Sequence, residues 1–173
     1  MQAWTTFYAT IGAASATLLG LLFVAVSVNA SAALGSGDRL TSGMTEQAFQ
    51  NYLAVMLVAL LALFPDLSPK IFGFVAISGL AGRGAWLAIR LFQLARLTAP
   101  RQMTLRAARR HLTSVVGFVL LLFAVVSMAL GRTDHYNTLA AATLVLLFSA
   151  TTVSWELLRR IANRDAGAPA VEG

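Results

Sequence analysis

The chain has 173 residues, of which 58% are hydrophobic and only 12% charged, and its mean hydropathy is +0.74. Soluble domains run at about 45–50% apolar and about 25% charged, so this composition excludes an ordinary soluble globule and points to an integral membrane protein. The formal net charge of +6 does not indicate a nucleic-acid partner, because the basic residues cluster between apolar stretches; the absence of cysteine excludes disulfides, thiol nucleophiles and Cys-based metal sites.

Lipid offers the backbone no hydrogen bonds, so the expected fold is an all-α integral membrane protein, a single transmembrane domain over residues 1–173. A bilayer core of roughly 30 Å takes about 20 helical residues. Five segments qualify, at about 6–29, 46–64, 70–91, 112–130 and 137–157, and short connections make them one compact bundle.

The first span carries hydroxyls spaced alternately by four and three. Thr6, Thr10, Ala13, Thr17, Gly20, Val24, Ser27 and Ser31 fall along one helical face, while Ile11, Leu18, Leu22 and Phe23 lie opposite and suit lipid or a bulky neighbour. Two uses fit. Small residues allow close helix packing, as in the Gly12-x3-Ala16-x3-Gly20 run on an adjacent face. Alternatively, several copies of the face line a narrow aqueous path, with Val24 as an apolar constriction. Ala30-Ser31-Ala32 resembles a signal-peptidase site, but no basic segment precedes the apolar stretch, which is also long for a signal, so the first span is expected to be retained.

A Gly/Ser-rich turn at 35–43 leads to the second span, where Thr45 is the expected cap and Glu46 the first-turn acid. Pro65 closes it. Ser68 and Pro69 open the third span, which contains Arg83 among Gly79, Gly82 and Gly84. Arginine near mid-membrane costs on the order of 3 kcal/mol and usually faces protein or water. Asn51 and Gln50, with Ser149 and Thr152 of the fifth span, should lie at its depth; its side chain either snorkels to Glu46 or Glu156 or stays an unpaired cation beside an anion path or lipid headgroup.

The connection 92–111, with Pro100 and a run of arginines, reads as a basic cytoplasmic loop near anionic headgroups. The fourth span looks the most lipid-facing. In the fifth, after a cap at Thr133 or Asp134, the positions Thr138, Ala142, Val145, Ser149, Thr152 and Glu156 form one face, so spans one and five read as the inward-facing pair. A tail follows at 165–173. LLFVAVSV at 21–28 resembles LLFAVVSM at 121–128, either an inverted repeat or shared apolar composition.

Ten basic residues fall on one side of this arrangement, against Lys70 and Arg132 on the other, which predicts N-terminus out and C-terminus in. Twelve of the thirteen basic residues are Arg, as in a GC-rich genome, and a bacterial inner membrane is the expected location. His111 and His135 have no second ligand at metal spacing, and no carboxylate pair lies within a span; no metal, cofactor or catalytic residue is expected. The leading expectation is a small homo-oligomeric ion channel, with inorganic ions and membrane lipids as partners. The alternatives are a non-conducting accessory or scaffold subunit and a small transporter.

Overall fold

The computed structural model describes residues 2–29, 39–65, 67–80, 105–132 and 135–165. Among these every regular element is a helix: α1 (Gln2–Val28), α2 (Arg39–Ala62), α3 (Pro69–Leu80), α4 (Leu105–Ala129) and α5 (Tyr136–Asp165). Ser31, Arg83, the remainder of the third span, the caps at Thr133 and Asp134, most of the basic loop and the tail from 166 lie outside the described residues.

Two helices are long and apolar enough to cross a membrane, α1 over Trp4–Val28 and α5 over Tyr136–Ala162. Polar residues from Thr41 to Gln47, with Gln50 and Asn51, dilute the first half of α2. In α4 the apolar part is confined to Thr113–Ala129, and α3 is described only over Pro69–Leu80.

Local signals set several ends. Ser68 opens α3, its hydroxyl accepting from the Ile71 amide at 3.4 Å and its carbonyl from Phe72 at 2.9 Å. Gly131, at φ +85°, closes α4: its amide donates to Met128 and that of Arg132 to Ser127, so a left-handed residue caps the orphan carbonyls. Thr45 does not cap α2. The helix begins at Arg39, and Thr45 donates from Oγ1 to the Thr41 carbonyl at 3.0 Å. Packing extends it, since Met44 is buried in one cluster with Leu157 and Ile161 of α5.

α5 is the central helix, packed against α2 on one side and α4 on the other. α1 packs chiefly on α2, at the rim, so spans one and five are not an inward-facing pair. Trp4 and Tyr136 stack with centroids 6.4 Å apart, and the Tyr8 hydroxyl lies 3.4 Å from the Tyr136 carbonyl, so the N-terminal ends of α1 and α5 share a side. α4, expected to be the most lipid-facing span, has two faces: Phe118, Leu121, Val125 and Met128 are buried, whereas Val116, Val119, Phe123 and Val126 are exposed. The two similar octapeptides occupy unlike settings. Of the first, only Leu22 is buried; of the second, Leu121, Ala124, Val125, Ser127 and Met128 are.

Candidate functional site

On α1 the hydroxyl face looks away from the rest of the chain. Thr6, Thr10, Ala13, Thr17, Gly20, Val24 and Ser27 are all exposed, and Val24 is 57% so. The other side of the helix makes the fold: Tyr8, Ile11, Gly12, Ser15 and Leu22 are buried. Gly12 is the close-approach point, where an added Cβ would come within 3.1 Å of Ala59 Cβ. Ala16 and Gly20, grouped with Gly12 in the sequence, are exposed and leave the contact with α2 to Gly12. Ile11 and Leu22 meet protein; Phe23 remains exposed.

The exposed hydroxyls are held against their own helix. Thr10 donates to the Thr6 carbonyl and Thr17 to that of Ala13, each at 2.9 Å. A threonine bonded this way turns its oxygen lone pairs outward. The face therefore presents acceptors spaced by two turns between small residues.

Inside the bundle lies a second set of polar residues. Ser15 of α1 donates to the Tyr52 carbonyl of α2 at 2.7 Å. The Tyr52 hydroxyl reaches Thr151 of α5 at 3.3 Å and receives the Ser154 hydroxyl at 3.5 Å. Next to it in sequence, Asn51 exchanges hydrogen bonds with Ser114 of α4, at 3.2 and 3.3 Å. Ser149 of α5 is fully buried, and among the described residues its Oγ has no partner. Ser15, Asn51, Tyr52 and their partners tie four helices together with uncharged hydrogen bonds, which suits a medium where an unsatisfied polar group costs several kcal/mol.

Asn51 and Ser149 thus belong to the interior, as does Ala142, whereas Thr152 is exposed and donates to the Ser149 carbonyl. The anticipated face of α5 starts in the core and emerges near its C-terminal end. Ser15, Tyr52 and Ser114 were not anticipated. A signal existed for Ser15, which shares the spacing of Tyr8, Ile11, Gly12 and Leu22 on the face opposite the hydroxyls.

The two acids named as partners for Arg83 differ. Glu156 pairs with Arg160, four residues on, at 3.1 Å, both side chains being about 40% exposed. Glu46 makes no ion pair among the described residues; its Oε1 accepts from Gln50 Nε2 at 3.4 Å. It lines a trough of about 720 Å³ bounded by α1, α2 and the end of α3. No group of His, Asp and Glu among the described residues could hold a metal ion. Compared with protein-family models, curated proteins and solved structures, the chain matches none.

Proposed function

We propose that the protein is a small homo-oligomeric ion channel of a bacterial inner membrane, a five-span bundle whose pore is lined by α1 on the axis of the assembly. A membrane setting is supported by the distribution of apolar surface. Large apolar side chains are exposed on every helix, Phe23, Leu60, Phe74, Phe123 and Phe148 among them, while Asn51 and Ser149 are fully buried. The aromatic residues support it too. Trp4, Phe7, Tyr8 and Tyr136 cluster at one end of the bundle, and Trp155 is exposed toward the other. Along α5, Tyr136 and Trp155 are separated by about 28 Å at 1.5 Å per residue, close to the roughly 30 Å hydrocarbon core, and amphipathic rings favour its two interfaces.

The channel reading rests on one observation. The hydroxyl face of α1 is on the outside of its own chain, where lipid would otherwise cover it. Symmetric association of copies through that face would set rings of Thr10, Thr17 and Ser27 around an axis, with Gly20 and Ala13 admitting close approach and Val24 narrowing the path. Ion selectivity turns on Arg83. Unpaired, it favours anions and leaves Glu46 open to another cation; neutralised by Glu46 or Glu156, it leaves cations or weak selectivity.

A second reading has its own support. Because Thr10 and Thr17 donate to their own helix, the face needs no water and equally suits a packing seam with a larger membrane complex, as in an accessory subunit. Recordings of purified protein in planar bilayers under a KCl gradient separate the two. The expected result is a unitary current that Thr17→Leu abolishes while Arg83→Gln moves the reversal potential. Thr17 is exposed, so this substitution leaves the bundle's own packing intact. Silence from folded, oligomeric protein would sink the channel and leave the seam.

A further inference from the structure

The trough between α1, α2 and α3 combines features that point to an occupant. Its apolar lining includes Leu22, Leu53 and Leu57, and its polar lining Ser42, Glu46 and Gln50 from the first half of α2. Its volume of about 720 Å³ falls within the about 300–1,000 Å³ of small-molecule sites. From Glu46 to Leu57 the helix rises about 16 Å at 1.5 Å per residue, half of the roughly 30 Å hydrocarbon core and so the depth of one leaflet. In a bilayer an apolar trough of this depth, open along its side, faces acyl chains.

We propose that this trough binds one phospholipid with a primary-amine headgroup, its acyl chain along the apolar lining and its ammonium on Glu46. The inference rests on the membrane setting proposed above and not on conduction. Charge complementarity selects the headgroup. Glu46 is a half-buried carboxylate with a single hydrogen bond from Gln50 and no ion pair among the described residues. A carboxylate partly withdrawn from water calls for a cation with N–H donors. A primary ammonium supplies three such donors; a quaternary choline supplies none, and a glycerol headgroup leaves the lipid anionic and repelled. Ser42, one turn before Glu46 on the same face, offers a hydroxyl to the phosphate. Glu156 is no competing site, because Arg160 already occupies it.

Native mass spectrometry of the full chain tests this, with dioleoyl phosphatidylethanolamine, phosphatidylcholine and phosphatidylglycerol supplied in equal amounts to protein in detergent. Wild type should retain one phosphatidylethanolamine with a preference of about tenfold over the other two, the scale of a charge-assisted hydrogen bond. Glu46→Gln should bring the three lipids near parity while keeping lipid bound. Gly79→Phe should lose all three, because Gly79 lines the trough and a Cβ there would meet nothing within 4 Å among the described residues, leaving the ring free to fill it. An unchanged thermal melt certifies the fold of each variant. Equal retention of the three lipids by wild type, an undiminished preference in Glu46→Gln, or a trough covered by a second copy with no lipid retained would each overturn the proposal. No current is read, so either result leaves the channel reading to its own test.

Discussion

Gly73 shows how little room the helix crossings leave. It lies where the first turns of α3 meet the last residues of α4, and a Cβ added there would run into the backbone nitrogen of Ala129 and come within 2.6 Å of its Cα. Backbone cannot step aside as a side-chain tip can, so Gly73→Ala should push the two helices apart and cost about 1–3 kcal/mol, the usual range for overpacking. Gly43 is the internal control. It sits in α2 with nothing among the described residues within 4 Å of its would-be Cβ, and Ala there should be neutral or add up to about 1 kcal/mol through helix propensity. Unfolding of both variants in mixed micelles of dodecyl sulfate and maltoside reads the contrast. If Gly73→Ala were as stable as Gly43→Ala, the close crossing of α3 and α4 would be wrong. Gly117 falls between these cases, since its would-be Cβ would meet Leu146 Cδ2 at 2.9 Å, a side-chain end that can turn.

At the scale of one element, α4 separates a membrane bundle from a soluble one. Val116, Val119, Phe123 and Val126, spaced by three and four, form an exposed apolar stripe opposite the buried Leu121, Val125 and Met128. In water a lysine on that stripe would be harmless or solubilising. In lipid, Val119→Lys should oppose insertion by about 2.5–3.5 kcal/mol if it lies near mid-bilayer, with a matching fall in the membrane-integrated fraction of a glycosylation-reporter fusion. Full integration of Val119→Lys would argue against lipid at this face. Each of the five described helices overlaps an apolar run legible in the sequence, because hydrophobic length survives there, although only α1 and α5 are long and apolar enough to span a membrane. Which side of each run would be buried was less legible. Within Thr113–Ala129 of α4 all but Thr113, Ser114 and Ser127 are apolar, so the periodicity of that stretch carries little contrast, and the partner helix decides. The same holds for the start of α2, where Thr45 and Glu46 look like a helix beginning and only the burial of Met44 against Leu157 and Ile161 draws the helix back to Arg39. On α1 the contrast was strong, since hydroxyls and glycines alternate with leucines, and the division into two faces could be read directly. The orientation of those faces could not: nothing in the spacing says that α2 takes the Tyr8, Gly12 and Ser15 side and leaves the threonines outside.

For the whole molecule the parallel course of α1 and α5 limits the number of crossings. Both are long and apolar enough to span a membrane, and the stack of Trp4 on Tyr136 sets their starting ends together. A chain that crosses twice in the same direction must cross an odd number of times in between, so α2, α3 and α4 supply either one further crossing or three. The Lys70 side chain runs within 2.9 Å of the position a Cβ would take at Gly131, which brings the start of α3 to the end of α4. Gly12 beside Ala59 brings the start of α1 toward the end of α2, so residues 63–65 and 130–132 belong on the side where α1 starts. That arrangement fits the proposed five crossings, with three of them between α1 and α5, and the excess of arginine in 90–111 and after 158 predicts that the opposite side is the cytoplasmic one. With no native cysteine, single substitutions give an unambiguous map. In intact cells an impermeant maleimide should label Gln2→Cys, Phe64→Cys and Arg132→Cys, and should reach Arg101→Cys and Asn163→Cys only after permeabilisation. Labelling of Arg101→Cys from outside would remove α3 and α4 as crossings and leave three spans. Complete inversion of the pattern would keep the five-span bundle but turn it over. In that case the basic loop would face away from the cytoplasm, and Glu46 and its trough would open onto the outer leaflet.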